Sequence, residues 1–186
     1  MAAPRKDQVR NRQRLVAAAR QAFVELGPEV SLEAVARRAG VGTTTLYRHF
    51  PSKEEMVEAV LDELIQPVQE NAERAEQVAD PHEAFRFVFA QGCTMPEEDV
   101  LAFARLAAAS ARAERYANAL VVRVVRGTTE RLREAGGLRP DLTAEDIAMF
   151  VRMADAADSR EHRIKATEIL LAGITRVAPH EAREAP

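Results

Sequence analysis

Ser31–Glu55 reads SLEAVARRAGVGTTTLYRHFPSKEE, and this stretch decides the fold. Ser31 stands immediately before Leu32–Ala39 as an N-cap, and Glu33 places an acid in the first turn, where it matches the helix dipole. Gly40 falls just past that helix, where a residue free to adopt positive φ is wanted, and Val41-Gly42 leads into a second short helix over Thr43–Phe50. Pro51 ends it, and Ser52 and Glu55 are spaced as a capping box that opens a third helix in this stretch. Two short helices joined by a tight turn make a helix-turn-helix when three conditions hold. A small residue must lie where the helices cross, a Gly in the turn, and an apolar residue on the inner face of the second helix. Ala36, Gly40 and Leu46 meet them.

Upstream, a helix from about Lys6 to Leu26 sets Leu15, Ala18, Ala19, Ala22, Phe23 and Leu26 on one face and Arg10, Arg14 and Arg20 on the other, before Gly27-Pro28 stops it. Leu32, Val35, Ala39, Val41 and Phe50 are expected to complete a core against Phe23 and Leu26, which leaves Thr43, Thr44, Tyr47, Arg48 and His49 facing outward. Three consecutive β-branched Thr form helix poorly, a local violation more easily understood if these residues make contacts than if they stabilise. Their hydroxyls can bond phosphates or bases, and their methyls can pack on thymine methyls. Lys53 is the sharper clue. A cation in the first turn of a helix opposes the dipole and costs a few tenths of a kcal/mol, a sign that a docked phosphate would reverse.

Downstream, Met56, Val57, Val60, Leu61, Leu64, Ile65 and Val68 form the stripe of a long fourth helix, expected to reach about Ala79 with a kink at Pro67. Breaks at Asp80-Pro81, Met95-Pro96, Gly136-Gly137 and Arg139-Pro140 then separate helices at about 81–92, 97–110, 112–135, 144–157 and 160–177, with a frayed tail from Pro179. The class is all-α with about nine helices.

Composition agrees with this reading and excludes several function classes. The 186 residues are 47% hydrophobic and 30% charged, as expected for a globular chain able to bury a core. Residues 1–53 hold ten Lys/Arg against four Asp/Glu, a balance of +6, whereas the remainder carries −9, so a polyanion is expected at the front. Cys93 is the only cysteine, which leaves no intrachain disulfide and no CxxC pair for zinc; a reducing cytoplasm fits, and no metal or cofactor is expected. The basic start is not followed by the apolar run of a signal peptide, and no stretch approaches the roughly twenty residues needed to span a bilayer, so no membrane association is expected. There is no GxSxG, HExxH, phosphate-binding Gly loop or Cys-His pair, and His49, His82, His162 and His180 are scattered, so the chain is not expected to be an enzyme.

With these residues in place, Leu15 to Val60, and Ser31–Glu55 above all, resembles the DNA-binding domain of the TetR family, over about a quarter of the chain. The resemblance implies a helix-turn-helix DNA-binding domain over 1–52 and a helical ligand-binding and dimerisation domain over 53–186, in a dimeric repressor released from a palindromic operator by a ligand. It also implies that Ser31, Thr43, Thr44, Tyr47, His49 and Lys53 occupy positions that commonly contact DNA, with Gly42 opening the inserted segment. Many relatives carry Lys-Gly where this chain has Thr43-Thr44, and Arg48 can instead supply a guanine contact. Two recognition helices on a two-fold dimer would reach successive major grooves roughly 34–36 Å apart. The last two helices, opened by Thr143 with Asp146, carry Ile147, Phe150, Val151, Ile164, Ile169, Leu170 and Ile174; in the family such a pair forms a four-helix interface with its twin.

Beyond Val60 no specific motif remains. Phe85, Phe89, Met95, Phe103, Leu106, Tyr116, Leu120 and Met149 can line a cavity for an apolar or amphipathic small molecule, with Cys93 and Tyr116 as polar handles. Met and Phe at helical spacing more often fill an ordinary core, which is the reading favoured for any one of them. A second open reading is a TetR-like adaptor or DNA-organising protein without a small-molecule inducer.

Overall fold

The computed structural model describes residues 3–176, with side chains from Asp7 onward. Among these residues lie nine α-helices: α1 (Ala3–Leu26), α2 (Leu32–Ala39), α3 (Thr43–His49), α4 (Lys53–Ala75), α5 (Pro81–Phe89), α6 (Glu97–Ala107), α7 (Ala111–Glu134), α8 (Ala144–Asp155) and α9 (Arg160–Ile174). A single 3-10 turn, Gln91–Cys93, separates α5 from α6. The expected tail from Pro179 and the end of the last expected helix at 177 lie outside the described residues. The chain folds as two compact units, one from the residues up to Ile65 together with Leu101–Ala117, the other from Gln66–Val100 together with the residues from Asn118 on.

In the first unit, Leu15, Ala19 and Phe23 of α1 are buried with Val35 and Ala36 of α2, Leu46 of α3, Phe50, and Met56 and Val60 of α4. Ser31 caps α2 by accepting from the Ala34 amide at 3.2 Å. Gly40 ends it at φ 62°, with the Val41 amide donating to the Ala36 carbonyl at 3.0 Å and the Gly40 amide to that of Arg37 at 3.2 Å. Arg14 Nη2 reaches from α1 to the Ala39 carbonyl at 2.7 Å, which satisfies another orphan acceptor at the same helix end. Leu26 is not in this core: as the last residue of α1 it is 68% exposed, because the chain turns away at Gly27 with φ 81°. Val41 is half-buried rather than fully enclosed. On α7, Arg112 makes a forked pair with Glu58 of α4 at 2.7 and 3.0 Å, and the Tyr116 hydroxyl bonds Asp62.

In the second unit α4 ends at Ala75, one turn short of the expected Ala79, for a reason supplied by a distant residue. The Arg131 guanidinium donates to the carbonyls of Ala75 at 3.3 Å, Glu76 at 3.1 Å and Val78 at 2.6 Å, drawing them out of the helical path. Pro67 sits inside α4, and the helix continues through it. The segment after α5 tightens into the 3-10 turn. In the first unit α6 ends at Ala107, and Ser110 caps α7 by accepting from the Ala113 amide at 3.1 Å. Thr143 and Asp146 form a full capping box at the start of α8. Met149 and Met153 of α8 and Ile164 and Ile169 of α9 are exposed, Ile169 to 65%.

Burial pushes the carboxyl of Asp155 up to about 6, against a partial opposing pull from the Arg163 charge. The folded protein therefore binds more protons than the unfolded chain between about pH 4 and pH 6, so this group favours folding most at low pH and loses that contribution as pH rises through about 6. Asp155→Asn should stabilise the protein by up to about 3 kcal/mol at about pH 7.5 and by little at about pH 4, measured by denaturant melts. Gly40→Ala should cost about 1–2 kcal/mol in the same assay, because αL backbone disfavours a Cβ and that Cβ would lie 3.0 Å from Arg14 Nη2.

Candidate nucleic-acid interface

The outward face of the first unit is set by what α3 buries. Leu46 is fully enclosed and Phe50 follows it inward, which turns Thr43, Thr44, Tyr47 and Arg48 to solvent. Gly42 precedes them as an exposed N-cap with extended backbone. Ser31 is exposed at the start of α2, its hydroxyl engaged as the cap. Lys53 is half-buried at the first position of α4, where Ser52 accepts from the Glu55 amide at 3.2 Å.

His49 differs from its neighbours. It is half-buried and its Nε2 is enclosed without a hydrogen-bond partner. Burial, and then the charges of Arg48 and Arg12, hold its pKa below the ordinary histidine value. Arg12 itself lies over the Phe50 ring at 5.3 Å, so a cation from α1 is fixed beside the end of α3. Arg38 is occupied elsewhere, in a forked pair with Glu25 at 2.6 and 2.7 Å.

Sequence reasoning missed the role of Glu33. Its carboxylate accepts a hydrogen bond from the Tyr47 hydroxyl, which lowers the acid's pKa and raises that of the phenol. The pair ties the exposed face of α3 to the first turn of α2. No local signal marks it, since the two residues are fourteen positions apart across the turn, whereas the acid alone reads as a dipole partner.

The residues read as a cavity lining fall in both units. Phe103, Leu106 and Tyr116 belong to the first: Leu106 is buried, Phe103 half-buried, and the Tyr116 hydroxyl is engaged by Asp62. Phe85, Phe89, Cys93, Met95, Leu120 and Met149 belong to the second. Phe85 and Phe89 are buried with ring centroids 5.8 Å apart, and Leu120 is buried. Cys93 is buried with its sulfur 3.3 Å from Thr167 Oγ1, Met95 is half-buried, and Met149 is exposed. The second unit also has a recess of about 330 Å³ lined by another set, with Gln69, Glu73 and Glu76 facing Arg123, Gly127 and Thr128. A glycine in the middle of α7 is the one sequence signal that points there: a Cβ at Gly127 would come within 3.0 Å of the Glu76 carboxylate. No cluster of three potential metal ligands occurs among the described residues, and no described helix is long and apolar enough to cross a membrane.

Comparison with known proteins matches residues 15–60 to the family described as bacterial regulatory proteins, tetR family. The HTH-type transcriptional regulator SAB2452 of Staphylococcus aureus (strain bovine RF122 / ET3-1) is 43% identical over 53 residues, 28% of this chain and 29% of that one. The match therefore spans less than a third of that relative. Similarity of fold extends further. A tetR-family transcription regulator from Shewanella sp. PV-4 superposes with a TM-score of 0.70 at 19% identity, over 90% of this chain and 99% of the other. RolR, in complex with resorcinol, gives 0.68 at 21% identity over 96% and 94%. SmeT, the repressor of the Stenotrophomonas maltophilia multidrug efflux pump SmeDEF, gives 0.67 at 20% over 94% and 96%. Residues 15–60 are thus similar to the domain that defines the tetR family of bacterial regulatory proteins, and the helical fold of solved proteins of that description is shared along nearly the whole chain.

Proposed function

We propose that this chain is a transcriptional regulator that binds a palindromic operator as a homodimer, with α3 in the major groove, and that a small apolar or amphipathic molecule releases it. The observation that carries the reading is the exposed row Thr43, Thr44, Tyr47 and Arg48, held outward by the buried Leu46 on the basic front of the chain. Ser31, Gly42, His49 and Lys53 extend the footprint. In this reading phosphate contacts from Ser31 and Lys53 fix register, while the Thr methyls and hydroxyls and Arg48 read base edges.

Residues 1–52 act as the DNA-binding part and 53–186 as the effector and dimerisation part. The exposed Met149, Met153, Ile164 and Ile169 of α8 and α9 support a two-fold interface there, since helix faces this apolar are normally covered. The recess between α4 and α7 supports a small-molecule site, and RolR, of the same fold, is known in complex with resorcinol. Repression as the default action is supported by SmeT, itself a repressor.

Selection of duplexes from a random pool, followed by footprinting, should yield a palindrome protected on two half-sites; failure to enrich any duplex at low salt would sink the proposal. Lys53→Ala should reduce the slope of log affinity against log salt by about 0.9 per protomer, because one phosphate fewer is neutralised. Because burial and the charges of Arg48 and Arg12 hold the pKa of His49 below the ordinary histidine value in the free protein, a phosphate brought against it raises that pKa and binding takes up protons. Operator affinity should therefore rise as pH falls from about 8 to about 6, and His49→Gln should flatten that dependence.

A further inference from the structure

Ser159 caps α9 by accepting from the His162 amide at 3.2 Å, and the first turn that follows carries Arg160 and Arg163. The side chain of Arg163 is 0% exposed, and none of its three guanidinium nitrogens has a hydrogen-bond partner. Glu97 Oε1 stands 3.8 Å from Nη1, close enough for charge attraction and too far for a hydrogen bond. Asp155, at the end of α8, feels the same cation. The 3-10 turn closes on this carboxylate: a Cβ at Gly92 would lie 1.8 Å from Asp155 Oδ1, so no larger residue fits there without displacing it. One turn along α9, Thr167 meets the Cys93 sulfur, while Arg160 Nε donates to the Cys93 carbonyl at 3.0 Å.

Two requirements of a buried guanidinium separate here. Its charge is matched, because Glu97 and Asp155 lie around it. Its five N–H donors are not, and buried donors without acceptors are rare because they forfeit the hydrogen bonds that water gave them. What the site lacks is acceptor oxygen rather than negative charge. A carboxylate brought to Arg163 would face Glu97 and Asp155, and an ammonium would set donor against donor.

We propose that Arg163 is the recognition group of a small-molecule site where the 3-10 turn, α8 and α9 meet, and that its ligand is a neutral molecule presenting a carbonyl or hydroxyl oxygen. The site shares no lining residue with the recess between α4 and α7, so the inference goes beyond the function proposed above and adds a second site. Binding requires the packing over the guanidinium to open, so the ligand selects a minor conformation of the free protein.

Thermal melts of the full chain with cyclohexanone, cyclohexanecarboxylate and cyclohexylammonium test this with one ring carrying three head groups. At about ten times its Kd cyclohexanone should raise Tm by about 3–6 °C, the other two should not, and R163M, which keeps the bulk and removes the fork, should abolish the shift. Should R163M fail to fold, R163K retains the charge without the planar fork and should lose most of the shift. No shift with cyclohexanone, or an equal shift in the variants, would mean that water or packing serves Arg163 and would overturn the proposal. A carboxylate shift abolished in R163M would overturn the neutral class. Operator selection without any ligand is untouched by these outcomes, so failure of this site and failure of the DNA-binding reading are separately visible.

Discussion

A helix of seven residues cannot hold itself together in water. Isolated helices shorter than about 12–15 residues are marginal even with good helix formers, and α3 begins with three β-branched threonines. Its existence depends on the burial of Leu46, worth about 1.5–3 kcal/mol, against a platform already built by α1 and α2. That platform is in turn fixed by the end of α2, where Gly40 takes the left-handed conformation and Arg14 binds the Ala39 carbonyl. The outward face of α3 is free to be chosen for contact because stability is supplied from beneath it.

The same division explains the charges at this face. Glu33 would be an odd neighbour for a polyanion if it stood alone, but its carboxylate is occupied by the Tyr47 hydroxyl. The phenol is thereby oriented, and its single donor is engaged within the protein. Burial of His49, and then the charges of Arg48 and Arg12, hold its pKa below the ordinary histidine value. Arg12 lies over the Phe50 ring, which keeps that cation beside the end of α3.

Much of this is legible in the sequence because its causes are local. Caps at Ser31, Ser52, Thr143 and Ser159 lie within three residues of the amides they bind. The fold class and the starts of most helices follow from such signals and from the apolar stripes. What the sequence hides has long-range causes. Leu26 lies on the apolar face of α1 by periodicity, yet the turn at Gly27 leaves it uncovered. The end of α4 is set by Arg131 rather than by its own residues, and the Glu33–Tyr47 tie and the buried Arg163 need a folded chain before they can be seen. In the second unit, aromatic and methionine spacing does not separate a cavity wall from a core: Phe85 and Phe89 pack on each other, whereas Met149 faces outward.

The Arg131 clasp has a consequence for the order in which the chain is made. The carbonyls of Ala75, Glu76 and Val78 are claimed by a residue more than fifty positions further along. During synthesis, α4 therefore emerges from the ribosome with no partner for that end, and at typical elongation rates several seconds pass before Arg131 follows. Until then nothing prevents α4 from running on toward Asp80, where Pro81 finally stops it. The contacts that close the end of α4 therefore cannot be completed until the chain as far as Arg131 has been made.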